Sequence, residues 1–174
     1  GRNELATLRT VRVYFEAQRE YARRDRDGSG VLQFAQKLRS TPGRKDGLYW
    51  APDLDGEISP LGPFVAAAQQ EGYGRQLSNP DAAPEPFHGY FFKILNRQGR
   101  HAPGGKYRYL INGRMIGGFA LVAWPAEYGR TGIMTFIVNQ QGRVYQKDLG
   151  PRTATLASRM QEFNPDATWP LSRD

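Results

Sequence analysis

Asp25-Arg26-Asp27-Gly28-Ser29-Gly30 places oxygen-bearing side chains at alternate positions ahead of a glycine turn, directly after a stretch with helical spacing. That is the setting of a calcium loop. With Asp25 as position 1, Asp27 and Ser29 fall at positions 3 and 5, Gly30 at 6, the Val31 carbonyl at 7 and apolar Leu32 at 8. The sharp glycine turn is what lets alternate oxygens converge on one hard cation. Position 12 is Gln36, which cannot supply a bidentate carboxylate, and Gln33 at position 9 adds no charge. Such a site would bind calcium weakly, at about 10⁻⁴ to 10⁻³ M, and would serve stability rather than catalysis. The same residues also read as a polar turn whose glycines end the helix.

Other chemistry is sparse. Asp53, Asp55 and Glu57 put carboxylates close together, which reads as a solvated acidic turn, although Asp53, Asp55 or Glu127 could serve as an acid in an enzyme. The two histidines, His88 and His101, lie at a strand start and in a polar loop, and no serine sits in a nucleophile-elbow context. With no cysteine in the chain, disulfides, thiolate metal sites and a cysteine nucleophile are excluded. Gly104-Gly105 and Gly117-Gly118 lack the Lys-Ser/Thr and helix of a phosphate loop.

Charge is more informative. Of the net +7, none resides in residues 1–87, which hold 12 Lys and Arg against 12 Asp and Glu, whereas residues 88–174 hold 12 against 5. Arg97, Arg100, Lys106 and Arg108 form the densest basic stretch of that half, a surface suited to an anionic partner. Lys106-Tyr107-Arg108-Tyr109 could stack bases, but strand alternation alone explains it, and nucleic-acid binding is disfavoured.

The elements that must position these groups follow from periodicity. Leu5, Leu8, Val11 and Phe15 recur at spacings of three and four, predicting a helix over Asn3–Arg24 with Asn3 as its cap. A shorter helix is predicted over Val31–Arg39, and another over Phe64–Gln70. The strand-rich half begins at Phe87: strands are predicted over Gly89–Leu95, Lys106–Ile111, Phe119–Trp124, Met134–Val138 and Val144–Lys147, with a tight turn at Asn112-Gly113 and a short return over Arg114–Ile116. A last helix is predicted over Thr153–Phe163, with Leu156, Met160 and Phe163 on one face.

The expected fold is α+β: one domain spanning residues 1–174, with helices and long loops in 1–86, an antiparallel sheet in 87–150 and a C-terminal helix and tail in 151–174. At 174 residues, 39% of them hydrophobic, the chain can bury a core unaided. No apolar run approaches the roughly 18 residues that span a membrane. The first residue is Gly rather than Met, which reads as a mature or truncated fragment lacking an upstream targeting segment.

Several longer strings carry a family resemblance: residues 14–26 (YFEAQREYARRDR), 40–50 (STPGRKDGLYW), 59–63 (SPLGP), 88–90 (HGY), 112–128 (NGRMIGGFALVAWPAEY) and 135–150. On these the chain resembles the bacterial family of the domain of unknown function 2950, over essentially its whole length. The resemblance implies a periplasmic or secreted protein and names no activity. A looser likeness, from Ala17, Gln18 and Tyr21, Gly89 to Phe92, Trp124-Pro125 and Phe136 to Val138, is to the globular heads of type IV pilins and pseudopilins, although Arg9, Arg12 and Arg19 are out of keeping with a pilin's hydrophobic helix. Together these readings point to a non-enzymatic structural or interaction module outside the cytoplasm, stabilised by calcium, whose partner is a protein or an anionic envelope polymer. The competing reading is an enzyme or binding protein acting on such a polymer.

Overall fold

Apolar residues spaced three and four apart must bury one stripe of the first helix, and the later strands supply the surface for it. The computed structural model describes residues 1–52, 56–73 and 85–173. Helix α1 (Arg2–Tyr21) buries Leu8, Val11, Tyr14, Ala17 and Tyr21. Phe15 is half-buried, its ring 5.8 Å from that of Phe119. Asn3 lies within the helix instead of capping it. Its amide donates to the Thr131 carbonyl at 3.0 Å, and the Glu4 carboxylate accepts the Met134 N–H at 2.9 Å, so the first turn is tied to the start of a strand.

The chain continues through a parallel pair, β1 (Lys37–Arg39) and β2 (Gly47–Tyr49), then α2 (Gly62–Gln70) and β3 (Tyr90–Leu95). Two small hairpin ladders follow, β4 (Arg97–Gln98) with β5 (Tyr107–Arg108) and β6 (Leu110–Ile111) with β7 (Arg114–Met115). Strands β8 (Ala120–Pro125), β9 (Met134–Asn139) and β10 (Val144–Asp148) form the predicted meander, and β3 joins it to give an antiparallel sheet of order β10-β9-β8-β3. A short α3 (Thr153–Ser158) closes the list of helices among the described residues. The architecture is α+β. Every residue of β8 is buried, because α1 packs over β8 and β9 while α3 also contacts β8. That is why this strand reads as a continuous apolar run. No helix among the described residues is long and apolar enough to cross a membrane.

Three predicted elements are corrected. Val31–Arg39 is not a helix: it runs extended into β1. The cause is Gln18, fully buried on α1, whose amide clamps Ala35 from both sides, donating to its carbonyl at 2.8 Å and accepting its N–H at 2.8 Å. Phe34 N–H bonds the Met115 carbonyl at 2.8 Å, so tertiary partners replace the helical ladder. The single strand expected over Lys106–Ile111 is broken at Tyr109, whose side chain is completely buried and whose N–H donates to Asn96. The last helix stops at Ser158, leaving Leu156 exposed; Phe163 instead enters the core as a bridge beside Gln98.

Gln18→Leu should therefore destabilise the protein by about 2 kcal/mol or more, since it strands both main-chain groups of Ala35 away from water. Urea unfolding measures this; a loss below about 0.5 kcal/mol would show that the clamp is not what holds the segment extended.

Candidate functional site

Strand β4 splits its two side chains between core and surface. Gln98 points inward and is fully buried; its amide donates to the carbonyls of Pro103 and Gly105, each at 2.8 Å, and its oxygen accepts from the Tyr109 hydroxyl at 2.9 Å and Asn139 at 3.3 Å. Burial pushes the Tyr109 hydroxyl well above the ordinary tyrosine range, so it remains a donor. Arg97 therefore faces the other way, and in the β4–β5 register it stands directly opposite Arg108. Like charges at facing positions are unfavourable. Partial relief comes from Gln161, which accepts from Arg97 at 3.0 Å, and from Glu162, 3.5 Å from the Arg97 Nε. That Nε is shut off from solvent and has no hydrogen-bond partner.

Arg97 and Arg108 line a groove of about 460 Å³ with Lys93, Ile94, Leu95 and Leu110. Lys93 spans its side, donating to the carbonyls of Ser158 at 2.9 Å and Met160 at 2.8 Å, where it satisfies acceptors at the end of α3. Lys93 is a groove cation that the sequence reading leaves out; its position in a strand just before the basic stretch that starts at Arg97 is the only local signal for it. Arg100 and Lys106 are exposed on the loop between β4 and β5, Arg100 donating to His101 at 3.2 Å. The four expected cations thus belong to one hairpin, and two of them reach the groove.

The Asp25–Val31 loop forms as a compact turn. Asp25 accepts the Gly30 N–H at 2.7 Å, Asp27 accepts the Ser29 N–H at 3.0 Å, and the Ser29 hydroxyl accepts the Val31 N–H at 3.2 Å. The second oxygen of Asp27 accepts from Arg114 at 2.7 Å and Gln33 at 3.0 Å. Hydrogen bonding from Ser29, and then from Arg114, holds the Asp27 carboxyl far below its usual range. Gln36 turns away and donates to the Gly113 carbonyl at 2.9 Å. Among the described residues no group of three His, Cys, Asp or Glu is placed to hold a metal ion.

Beside this loop lies a wider cleft of about 840 Å³, lined by the cations Arg26, Lys37, Arg44, Lys45 and Arg114 and by the carboxylates Asp27 and Asp46. Its wall is the short connection between the parallel strands. Parallel strands ordinarily need a dozen or more residues to connect; here residues 40–46 suffice because side chains staple the loop. Asp46 accepts from the Thr41 N–H at 2.7 Å and hydroxyl at 2.8 Å, and Ser40 exchanges two bonds with Gly47. A Cβ on Gly47 would lie 2.7 Å from the Arg39 carbonyl carbon, so only glycine fits that close approach.

Glu57 is no solvated turn residue. It ion-pairs with Arg26, with Lys45 at 2.6 Å and with Arg24 at 3.7 Å, while Arg26 is stacked over Tyr21 and Trp50 at 5.3 and 5.6 Å. Burial there raises the Tyr21 hydroxyl to about 12. Asp53 and Asp55 lie outside the described residues. Glu127 is exposed and 3.6 Å from Arg130; His88 meets Glu71 at 3.1 Å.

A family model described as "Protein of unknown function (DUF2950)" matches residues 1–171. The chain belongs to that family. In this DUF2950 chain, three of the strings that carry the resemblance, 14–26, 40–50 and 112–128, meet in the wider cleft through Tyr21 and Arg26, Arg44 to Asp46, and Asn112 to Arg114. No curated protein and no solved structure matches the chain, so the likeness to pilin heads is not shown.

The DUF2950 cleft also carries a pH dependence. Burial acts to raise the Asp46 carboxyl, but the Thr41 bonds and the Lys37 charge, 3.4 Å away, outweigh it and leave the group below its ordinary value. A depressed carboxylate stabilises the fold above the ordinary Asp range, near about pH 4, and that contribution is lost as pH falls through the lowered value. Melting temperature measured from pH 7 to pH 2 should therefore drop more steeply below pH 4 in the wild type than in Asp46→Asn, with the variant already less stable at pH 7. Parallel curves would contradict this assignment.

Proposed function

We propose that the protein is a non-enzymatic interaction module of the bacterial envelope, acting in the periplasm or outside the cell, whose groove beside β3, β4 and β5 holds an anionic partner. The observation that carries this reading is the facing pair Arg97 and Arg108, kept together at a cost and with the buried Arg97 Nε short of an acceptor. Sites that bind anions accept such unfavourable charge placement because the ligand relieves it. The uneven charge of the chain adds long-range attraction for the same partner. Placement outside the cytoplasm rests on the family resemblance.

Attraction among exposed charges is screened over about 8 Å at physiological ionic strength. Retention on an anionic matrix such as heparin should fall steeply between low salt and 0.5 M salt, roughly tenfold or more. The triple reversal Arg100→Glu, Lys106→Glu, Arg108→Glu should lose it with the fold intact. Unchanged retention of the triple variant would overturn the reading.

For the loop holding Asp25, Asp27, Ser29 and the Val31 carbonyl we propose weak calcium binding in competition with Arg114. What supports it is that the three side chains turn their oxygens around one glycine corner, with a cationic group already resting on Asp27. Binding to the folded state alone stabilises it by about 1.4 kcal/mol when the ion is at ten times its dissociation constant. Millimolar calcium should raise the melting temperature slightly in the wild type and more in Arg114→Ala, and Asp25→Asn with Asp27→Asn should abolish both shifts. Indifference to calcium in wild type and Arg114→Ala alike would remove calcium from the account.

A further inference from the structure

The two edges of the central sheet are finished differently. Outside β10, residues 170–172 add on as a partial strand: Gln146 N–H bonds the Pro170 carbonyl at 2.9 Å and Ser172 N–H bonds the Val144 carbonyl at 2.8 Å. The opposite edge, β3, has no such cover along its middle among the described residues. Main-chain direction alternates along a strand, and the Gly89 carbonyl accepts Ala126 N–H at 2.8 Å, so Phe91, Lys93 and Leu95 aim their main-chain groups at β8. Tyr90, Phe92, Ile94 and Asn96 aim theirs outward. Tyr90 exchanges two bonds with Phe87, and the Asn96 carbonyl accepts Tyr109 N–H at 2.9 Å. Between them the outward N–H and C=O groups of Phe92 and Ile94 have no partner among the described residues.

The gap has a structural origin. Beside β4 the chain of β5 runs antiparallel, and its continuation would pass along β3. At Leu110 it leaves instead to pair with Met115 in the β6–β7 hairpin. The wedge so opened is the 460 Å³ groove, with Ile94 and Leu95 on one wall, Leu110 on the other, and Lys93, Arg97 and Arg108 along it. An unblocked strand edge is a template for another strand, and natural proteins ordinarily cover it.

We propose that this edge takes an extended, acidic polypeptide segment as an added strand beside Phe92 and Ile94. The inference rests on the reading of the groove as an anionic-partner site and narrows that partner to a polypeptide. Charge selects the acidic character: Lys93 and Arg97 occupy the same face of their strands, Arg108 faces Arg97, and alternate carboxylates of an added strand would fall on that face. The main chain selects a polypeptide. The outward carbonyls of Phe92 and Ile94, unpartnered among the described residues, call for donors at strand spacing, which the N–H groups of a peptide supply; a polyphosphate carries no such row, and the hydroxyls of a sulfated glycan do not repeat at that spacing. The half-buried Phe92 and Ile94 side chains favour apolar residues at the intervening positions.

The test uses the whole 174-residue chain, labelled with ¹⁵N, and an alternating glutamate–valine hexapeptide with blocked ends. Titration should move the amide signals of Phe92 and Ile94 and slow their hydrogen exchange. N-methylation of the peptide at alternate residues should weaken binding about tenfold or more in one of its two frames, whereas the lysine–valine peptide should not bind. Ile94→Pro removes one outward N–H without touching the β8 ladder and should weaken the peptide about tenfold or more, with circular dichroism showing the variant folded. If both N-methylated peptides bind as well as the parent, the segment is held by charge alone and the added strand is wrong, though the anionic groove stands. If heparin is retained and the peptide is not bound, the partner is no polypeptide of this kind. If neither binds, the added strand and the groove reading fall together.

Discussion

The buried amide of Gln98 is the interaction on which the charged face depends. One side chain holds the loop carbonyls of Pro103 and Gly105, the Tyr109 hydroxyl and the Asn139 amide, and so fixes the β4–β5 ladder against the end of β9. Each of these groups, buried without a partner, would cost about 1–3 kcal/mol, so the ladder has little freedom to slide. Because strand side chains alternate, fixing Gln98 inward fixes Arg97 outward and opposite Arg108. A fold optimised for stability alone would not place two guanidinium groups there. The arrangement persists because the network beneath it is over-determined.

A second buried amide, Gln18 on α1, has a similar part. Gln18 holds Ala35 extended, which carries the chain from the Asp25 turn into β1 and sets the stapled loop of residues 40–46 beside Arg26 and Arg114. The wider cleft is therefore built mostly of satisfied ion pairs: Arg26 and Lys45 on Glu57, Lys37 near Asp46, Arg114 on Asp27. Its cations are spoken for, apart from Arg44, which has no ion pair among the described residues. The β3 groove differs in that only Arg97 of its cations meets a carboxylate, Glu162 at 3.5 Å, while Lys93 and Arg108 have no ion pair among the described residues.

Much of the sheet was legible from sequence because its signals are local. The apolar runs of β8 and β9 and the Asn112-Gly113 turn, where both residues take left-handed backbone angles of +52° and +77°, announce themselves within a few residues. The basic hairpin was legible from charge alone. What could not be read depends on distant partners. Nothing near Val31 says that a glutamine 17 residues before Ala35 will hold it extended, and nothing near Asp27 says that Arg114, 87 residues on, will meet it. Lys93 and the open edge of β3 were hidden for the same reason: a strand's sequence shows its faces, while its edges are decided by which other strands arrive.

The most direct test of the account is a double-mutant cycle between Gln98→Leu and Arg108→Ala, read as affinity for heparin under conditions where circular dichroism shows both variants folded. If the buried amide sets the charged groove, each single change weakens binding and the pair together costs clearly less than the sum, because loosening the ladder already removes the benefit of Arg108. Folded Gln98→Leu binding as tightly as the wild type, or strict additivity of the two changes, would contradict the claim that one buried side chain organises the binding face.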